Sequence, residues 1–312
     1  MDTWKSTLLP LMPPRVRAAL ERADGGACVT EIRLRAGGPL QLVAGVTDRL
    51  IYAPNGRPLF GPEDCEQLLS RVCEQSVYAW TEELRSGFVT LPGGCRVGIS
   101  GRALQTDGRV TSFSEVTCFA FRIVREVKGA GERVLPALLD ENARLRPTLI
   151  LSPPGCGKTT LLRDLVRLVS GGLHGAAPQT VSLVDERFEV SGAVRGRPQF
   201  DLGPRTDVMS GLRKHEGMMR MVAAMAPQVI AMDELSGAED VDAVLHACSC
   251  GVTPLATAHA RDVESLMQRE TMRALRDRRV FERYVLLSGI GEVTGVVNGQ
   301  LTVDRGQLTG DS

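Results

Sequence analysis

The stretch Ser152-Pro153-Pro154-Gly155-Cys156-Gly157-Lys158-Thr159-Thr160 constrains the fold of this chain more than any other. It follows the apolar run Thr148-Leu149-Ile150-Leu151 and precedes a helical pattern from Leu161 to Val169. Strand, glycine-bearing loop, helix is the context that a phosphate-binding P-loop requires. Backbone N–H groups of such a loop wrap a phosphate, and the helix N-terminus adds its partial positive charge. All nine residues, Ser152 to Thr160, are therefore expected to contact a nucleotide, ATP being the expected one. Lys158 is expected to reach the β- and γ-phosphates, and the Thr159 hydroxyl to help ligate Mg²⁺.

Beyond Pro147 the sequence alternates strand and helix. Strands are expected at 148–151, 180–184, 228–232 and 252–256, with helices at 159–170, 211–225, 238–249 and 263–276. Closing strands are expected around 284–288, 292–298 and 300–303. This alternation implies a parallel sheet covered by helices on both faces, with ligands beyond the C-terminal strand ends. The first part of the chain reads differently, as a short helix at 15–24, strands at 29–35, 40–43 and 49–52, and a helix at 63–72. A second helix is expected at 76–86, a glycine-turn hairpin at 87–101, and a strand at 118–124. A helical stretch is expected from Gly129 to Arg146. The expected organisation is thus a smaller α+β domain over 1–128, followed by an α/β P-loop NTPase domain of RecA-like (ASCE) type over 129–312.

Three further stretches supply polar groups to that sheet. Gln228-Val229-Ile230-Ala231-Met232-Asp233-Glu234 is an apolar strand ending in two acids, the Walker B pattern. Asp233 is the candidate Mg²⁺ partner and Glu234 the candidate for activating water. Val181-Ser182-Leu183-Val184-Asp185-Glu186-Arg187-Phe188-Glu189 is an additional acid-tipped strand between the two motifs, and it makes Glu186 or Glu189 a second candidate for water activation. Which carboxylate acts stays open, since such acids also cap helices or pair with Arg187. Thr257-Ala258-His259 ends the next strand, where His259 is placed to sense a γ-phosphate. Arg205, in a polar loop expected to precede a helix, could stabilise phosphoryl charge in its own or an adjacent subunit. Arg33 and Arg35 compete for that role.

Composition narrows the partners. Thirty-seven basic and thirty-seven acidic residues give a formal charge of zero, and only 4% of residues are aromatic. Neither an electrostatic track nor stacking platforms for nucleic acid are implied. The eight cysteines show no C-x-x-C pair, so reduced thiols in a cytoplasmic protein are expected. No run of about 18 apolar residues is present, so membrane association is expected to be peripheral, through partner proteins.

With these residues in view, the chain resembles the stage III sporulation protein AA family over nearly its whole length. In the first part the resemblance rests on Glu31-Ile32-Arg33-Leu34-Arg35, Ser76-Val77-Tyr78-Ala79 and the run from Gly87 to Gly98. In the second it rests on Pro153 to Thr160, Val184-Asp185-Glu186-Arg187, Arg205-Thr206-Asp207-Val208, Met232-Asp233-Glu234 and Thr257-Ala258-His259. That family is similar to the ATPases of type II and type IV secretion and pilus assembly. The resemblance implies a homo-hexameric ring on the inner face of a membrane, acting with membrane-embedded channel components to power or gate the passage between mother cell and forespore. Three positions depart from the family pattern: Ser152 replaces the first loop glycine, Cys95 a histidine, and Phe188 a serine. A nucleotide-gated scaffold that hardly turns ATP over, and a secretion or pilus motor outside sporulation, are the competing readings.

Overall fold

The computed structural model describes residues 3–23, 29–44, 47–73, 87–106, 109–289 and 291–299. The chain divides into two compact units, Met1–Arg125 and Glu126–Ser312.

In the first unit, helices α1 (Thr3–Leu8), α2 (Pro14–Ala23) and α3 (Pro62–Val72) accompany a six-stranded antiparallel sheet. Its strands are β1 (Val29–Arg35), β2 (Leu40–Ala44), β3 (Thr47–Ile51), β4 (Phe88–Thr90), β5 (Arg96–Thr106) and β6 (Arg109–Arg122), in the order β3-β2-β1-β6-β5-β4. Alternation in β1 decides its register, because Ile32 and Leu34 are fully buried opposite Phe121 and Phe119. Arg33 and Arg35 point to the other face, where Arg33 pairs with Glu31 at 2.7 Å and Arg35 donates to Gln41 at 2.8 Å. The strand expected at 118–124 is the end of a much longer one. The expected helix at 76–86 lies outside the described residues.

The second unit is a seven-stranded sheet: β7 (Thr148–Ser152), β8 (Val181–Asp185), β9 (Thr206–Ser210), β10 (Val229–Met232), β11 (Thr253–His259), β12 (Arg283–Gly289) and β13 (Glu292–Asn298). The order is β13-β12-β7-β11-β10-β8-β9, parallel except for the β12–β13 hairpin. In space it is β11, not β8, that separates the loop-bearing β7 from β10. Strands β7, β8 and β10 are buried along their whole length, so both faces are apolar. Ile150, Leu183 and Ala231 face one core with α4 (Lys158–Gly171), while Leu149, Leu151, Val184 and Met232 face the other. That second core holds residues of α5 (Lys214–Met225), α6 (Ala238–Ser249) and α8 (Glu270–Asp277).

Three sequence expectations need correction. The segment 129–146 is not an α-helix: it forms turns and one 3-10 helix, Leu135–Leu138. Pro136 withholds an amide donor inside the segment, and Ala143 adopts a φ of 60°. Residues 206–208 belong to an edge strand rather than a loop. The helix expected at 263–276 is two helices, α7 (Val263–Met267) and α8, the second starting after extended Arg269.

Candidate nucleotide-binding site

Because β7, β8, β10 and β11 run parallel, their C-terminal ends deliver Ser152, Asp185, the Asp233-Glu234 pair and His259 to one edge of the sheet. The segment after β7 turns at Gly155 (φ 78°) and Gly157 (φ 91°) before entering α4. An L side chain is strained in that backbone region, and a Cβ on Gly157 would also approach the Gly291 nitrogen at 3.2 Å. That neighbour belongs to the β12–β13 turn, whose Gly291 amide donates to the Cys156 carbonyl at 3.0 Å.

Lys158 is only 6% exposed. Its ammonium donates to oxygens among the Ser152 carbonyl, Ser152 Oγ and Pro153 carbonyl, each at 3.1 Å, and lies 2.9 Å from His259 Nδ1. Burial pushes the lysine below its ordinary range, although Asp233 and Glu234 pull the other way. When Lys158 is charged it has only donors, and Nδ1 of His259 is then the acceptor in their contact. Nε2 of His259 lies 3.5 Å from Glu234 Oε1.

Asp233 joins the two ends of the site. Thr159 Oγ1 donates to its Oδ2 at 2.7 Å, and Thr257 Oγ1 donates to its Oδ1. Thr257 also fixes the backbone that follows: its hydroxyl accepts from the Glu234 amide at 2.8 Å and its carbonyl from the Leu235 amide at 2.7 Å. Glu234 is thereby held at a φ of 58°, a left-handed conformation uncommon for any residue but glycine. Its carboxylate takes a 2.7 Å ion pair from Arg187, a residue whose side chain is 57% exposed.

Asp185 is buried and accepts four hydrogen bonds, from the amides of Glu189, Val190 and Ser191 and from Ser191 Oγ. Burial pushes its carboxyl above the usual range, and the four donors oppose that shift. Asp185 therefore shapes the loop from 186 to 191 from its place in the cleft wall. Arg163 of α4 holds the same loop by its carbonyls, donating to Val190 and Glu189 at 2.6 Å each while stacking over the Phe200 ring. The ring of Phe188 sits over Gly211, where a Cβ would meet it at 2.9 Å. Glu186 pairs at 3.1 Å with Lys214, a lysine 8% exposed. The resulting cleft is lined by Asp185, Glu186, Arg187, Glu189, Lys214, Asp233 and Glu234.

Arg205 is not brought to this edge. It precedes β9, and its amide and guanidinium bond to Ser170 in the last turn of α4, the end opposite Lys158. A helix of 14 residues spans about 20 Å, so Arg205 does not contact a phosphate on its own loop. Sequence reasoning missed Lys214, Arg163 and the role of Thr257. Only Lys214 carried a local signal, a cation opening a helix, where the dipole disfavours it.

The residues fit an ATP–Mg²⁺ complex. Thr159 and Asp233, the hydroxyl and carboxylate suited to a Mg²⁺ shell, already touch, and Lys158 lies beside them. Among the described residues no group of three or more His, Cys, Asp or Glu side chains is disposed to hold a metal alone.

The family model for sporulation stage III, protein AA matches residues 4–307. Stage III sporulation protein AA of Bacillus subtilis (strain 168) is 40% identical over 261 residues, covering 83% of this chain and 82% of that one. An uncharacterized protein ycf45 of Cyanidium caldarium is 26% identical over about half of each chain (51% and 46%). Among solved structures, the ATPase DotB of Legionella pneumophila superposes with a TM-score of 0.59 at 16% identity, covering 88% of this chain and 76% of DotB. The pilus retraction motor PilT, solved with ADP, gives 0.57 at 14% identity, covering 90% and 77%. The fold is that of the secretion and pilus ATPases. Among the described residues, no helix is long and apolar enough to cross a membrane.

Proposed function

This chain belongs to the sporulation stage III, protein AA family, and from that premise we propose that it binds ATP with Mg²⁺ and hydrolyses it. In this reading it works as a cytoplasmic homo-hexameric ring that drives or gates the mother cell–forespore channel through membrane-embedded partners. The observation that carries the reading is the meeting of Lys158 and Thr159, at one helix start, with Asp233 and His259, at two strand ends, beside a cleft with four further carboxylates.

Each residue has a distinct task. Loop residues 152 to 160 would cradle the phosphates, with Lys158 leaving Ser152, Pro153 and His259 for the β- and γ-oxygens. Thr159 and Asp233 would hold Mg²⁺, which when bound neutralises charge on the transferring phosphoryl group. Glu234, fixed through Thr257, would orient the attacking water and take its proton as the γ-phosphoanhydride bond breaks. His259, released by Lys158, would report γ-phosphate occupancy to Glu234. Arg187 pairs with Glu234 at 2.7 Å and would have to release that carboxylate for it to reach the attacking water.

Phosphate release by the purified chain tests this. It should require Mg²⁺, vanish in Lys158→Ala and fall steeply in Glu234→Gln. Rates per subunit that rise with protein concentration would indicate a shared site; no Mg²⁺-dependent release at any concentration refutes the enzyme reading.

A further inference from the structure

Lys214 is placed against two rules at once. It opens α5, where the helix dipole disfavours a cation, and it is buried, where a lysine is rare unless paired. Its ammonium is 3.1 Å from Glu186 Oε2 and 3.7 Å from Asp240 Oδ2. Glu186 lines the acidic cleft, and Asp240 opens the helix that follows cleft-lining Glu234. Glu186 follows β8 directly and begins the loop whose residues 189–191 are held by Asp185. Asp240 is in the first turn of α6 and accepts from the amides of Ser236 and Gly237, just after Glu234. Five of the seven residues lining the cleft are acids, and Lys214 is the buried one of the two cations. Replacing such a buried pair as a whole by apolar residues is often neutral, whereas removing the lysine alone leaves Glu186 and buried Asp240 without their cation. Stability and a role in turnover are therefore separated by measuring both.

We propose that Lys214 is a positioning residue for ATP hydrolysis, tying the Glu186 carboxylate to the start of α6 so that the cleft keeps the shape the attacking water requires. The inference rests on the ATPase reading above. Misplacement of a reacting group by about 1 Å can cost on the order of a hundredfold in rate, and Lys214 touches neither the loop nor the Thr159–Asp233 contact. Its loss is expected to act on turnover and to spare nucleotide binding.

The test uses the full-length chain and four variants: Lys214→Met, Lys214→Arg, Glu186→Gln and the Met/Gln double. Mg²⁺–ATP affinity, phosphate release and nucleotide-free melting temperature are measured for each. Turnover in Lys214→Met should fall by about tenfold to a hundredfold, with Kd within about threefold of the parent. Lys214→Arg should recover part of the loss. The double variant should be no slower than Glu186→Gln, and the melting shifts of the two single changes should not add. Turnover of Lys214→Met within twofold of the parent, multiplicative losses in the double variant, or an equal loss in affinity each overturns the proposal. If Lys214→Met does not fold, Glu186→Gln decides, and parental turnover there is fatal. A parent chain without turnover overturns this inference and the ATPase reading together; an active parent with a normal Lys214→Met overturns this inference alone.

Discussion

Replacing Asp185 with alanine should destabilise the second unit more than any loss of surface charge could. The substitution removes the acceptor of four hydrogen bonds. The Glu189 amide is partly open to water, but the Val190 amide, Ser191 amide and Ser191 hydroxyl are buried. Each buried donor left without a partner costs about 1–3 kcal/mol. Relief from burying a carboxylate offsets part of that sum, leaving a net loss of roughly 3–5 kcal/mol. For a unit of this size, about 2–4 °C of melting temperature goes with each kcal/mol, so a fall of roughly 6–20 °C is expected. Circular dichroism melts of parent and variant measure it. Because Arg163 holds the same loop by its carbonyls, Arg163→Met should be non-additive with Asp185→Ala. A melting temperature within about 2 °C of the parent would refute the claim that Asp185 is a structural acid.

Three other outcomes follow from the geometry. Lys158→Met should leave the nucleotide-free melting temperature unchanged or raise it, since burial disfavours the charged ammonium; a marked fall would mean that its contacts stabilise the resting fold. Gly211→Ala should destabilise through a φ of 78° and a 2.9 Å clash with Phe188, and a further Phe188→Ser change should relieve the clash but not the backbone strain; melting of the single and double variants reads both. Thiol labelling at pH 8 should modify exposed Cys250 quickly and leave Cys95 unreacted until unfolding, because burial pushes the Cys95 thiol up to about 12; early modification of Cys95 would contradict its environment.

Much of the second unit could be read from local pattern. The apolar runs of β7, β8 and β10 are buried on both faces, so they appear as uninterrupted hydrophobic stretches, and each ends in the polar residues that parallel strands bring to one edge. What stayed hidden depends on partners far away in sequence. The Arg187–Glu234 pair spans 47 residues, and no spacing rule announces it. Segment 129–146 misleads because Val134, Leu135 and Leu138 have helical spacing, yet a turn followed by one 3-10 helix buries the same three side chains. The segment after Arg205 reads as a loop for a similar reason: an edge strand is only partly buried, so its sequence resembles a polar loop. Assigning that segment to β9 places Arg205 at the end of α4 opposite Lys158.

Titrating the full chain with ATP in the presence of Mg²⁺, by calorimetry, bears most directly on the whole account. Saturable binding is expected for the parent, with little or none for Lys158→Ala and a large loss when Mg²⁺ is withheld. Absence of binding to the folded parent, or equal binding by Lys158→Ala, would contradict the assignment of residues 152 to 160 as a nucleotide cradle.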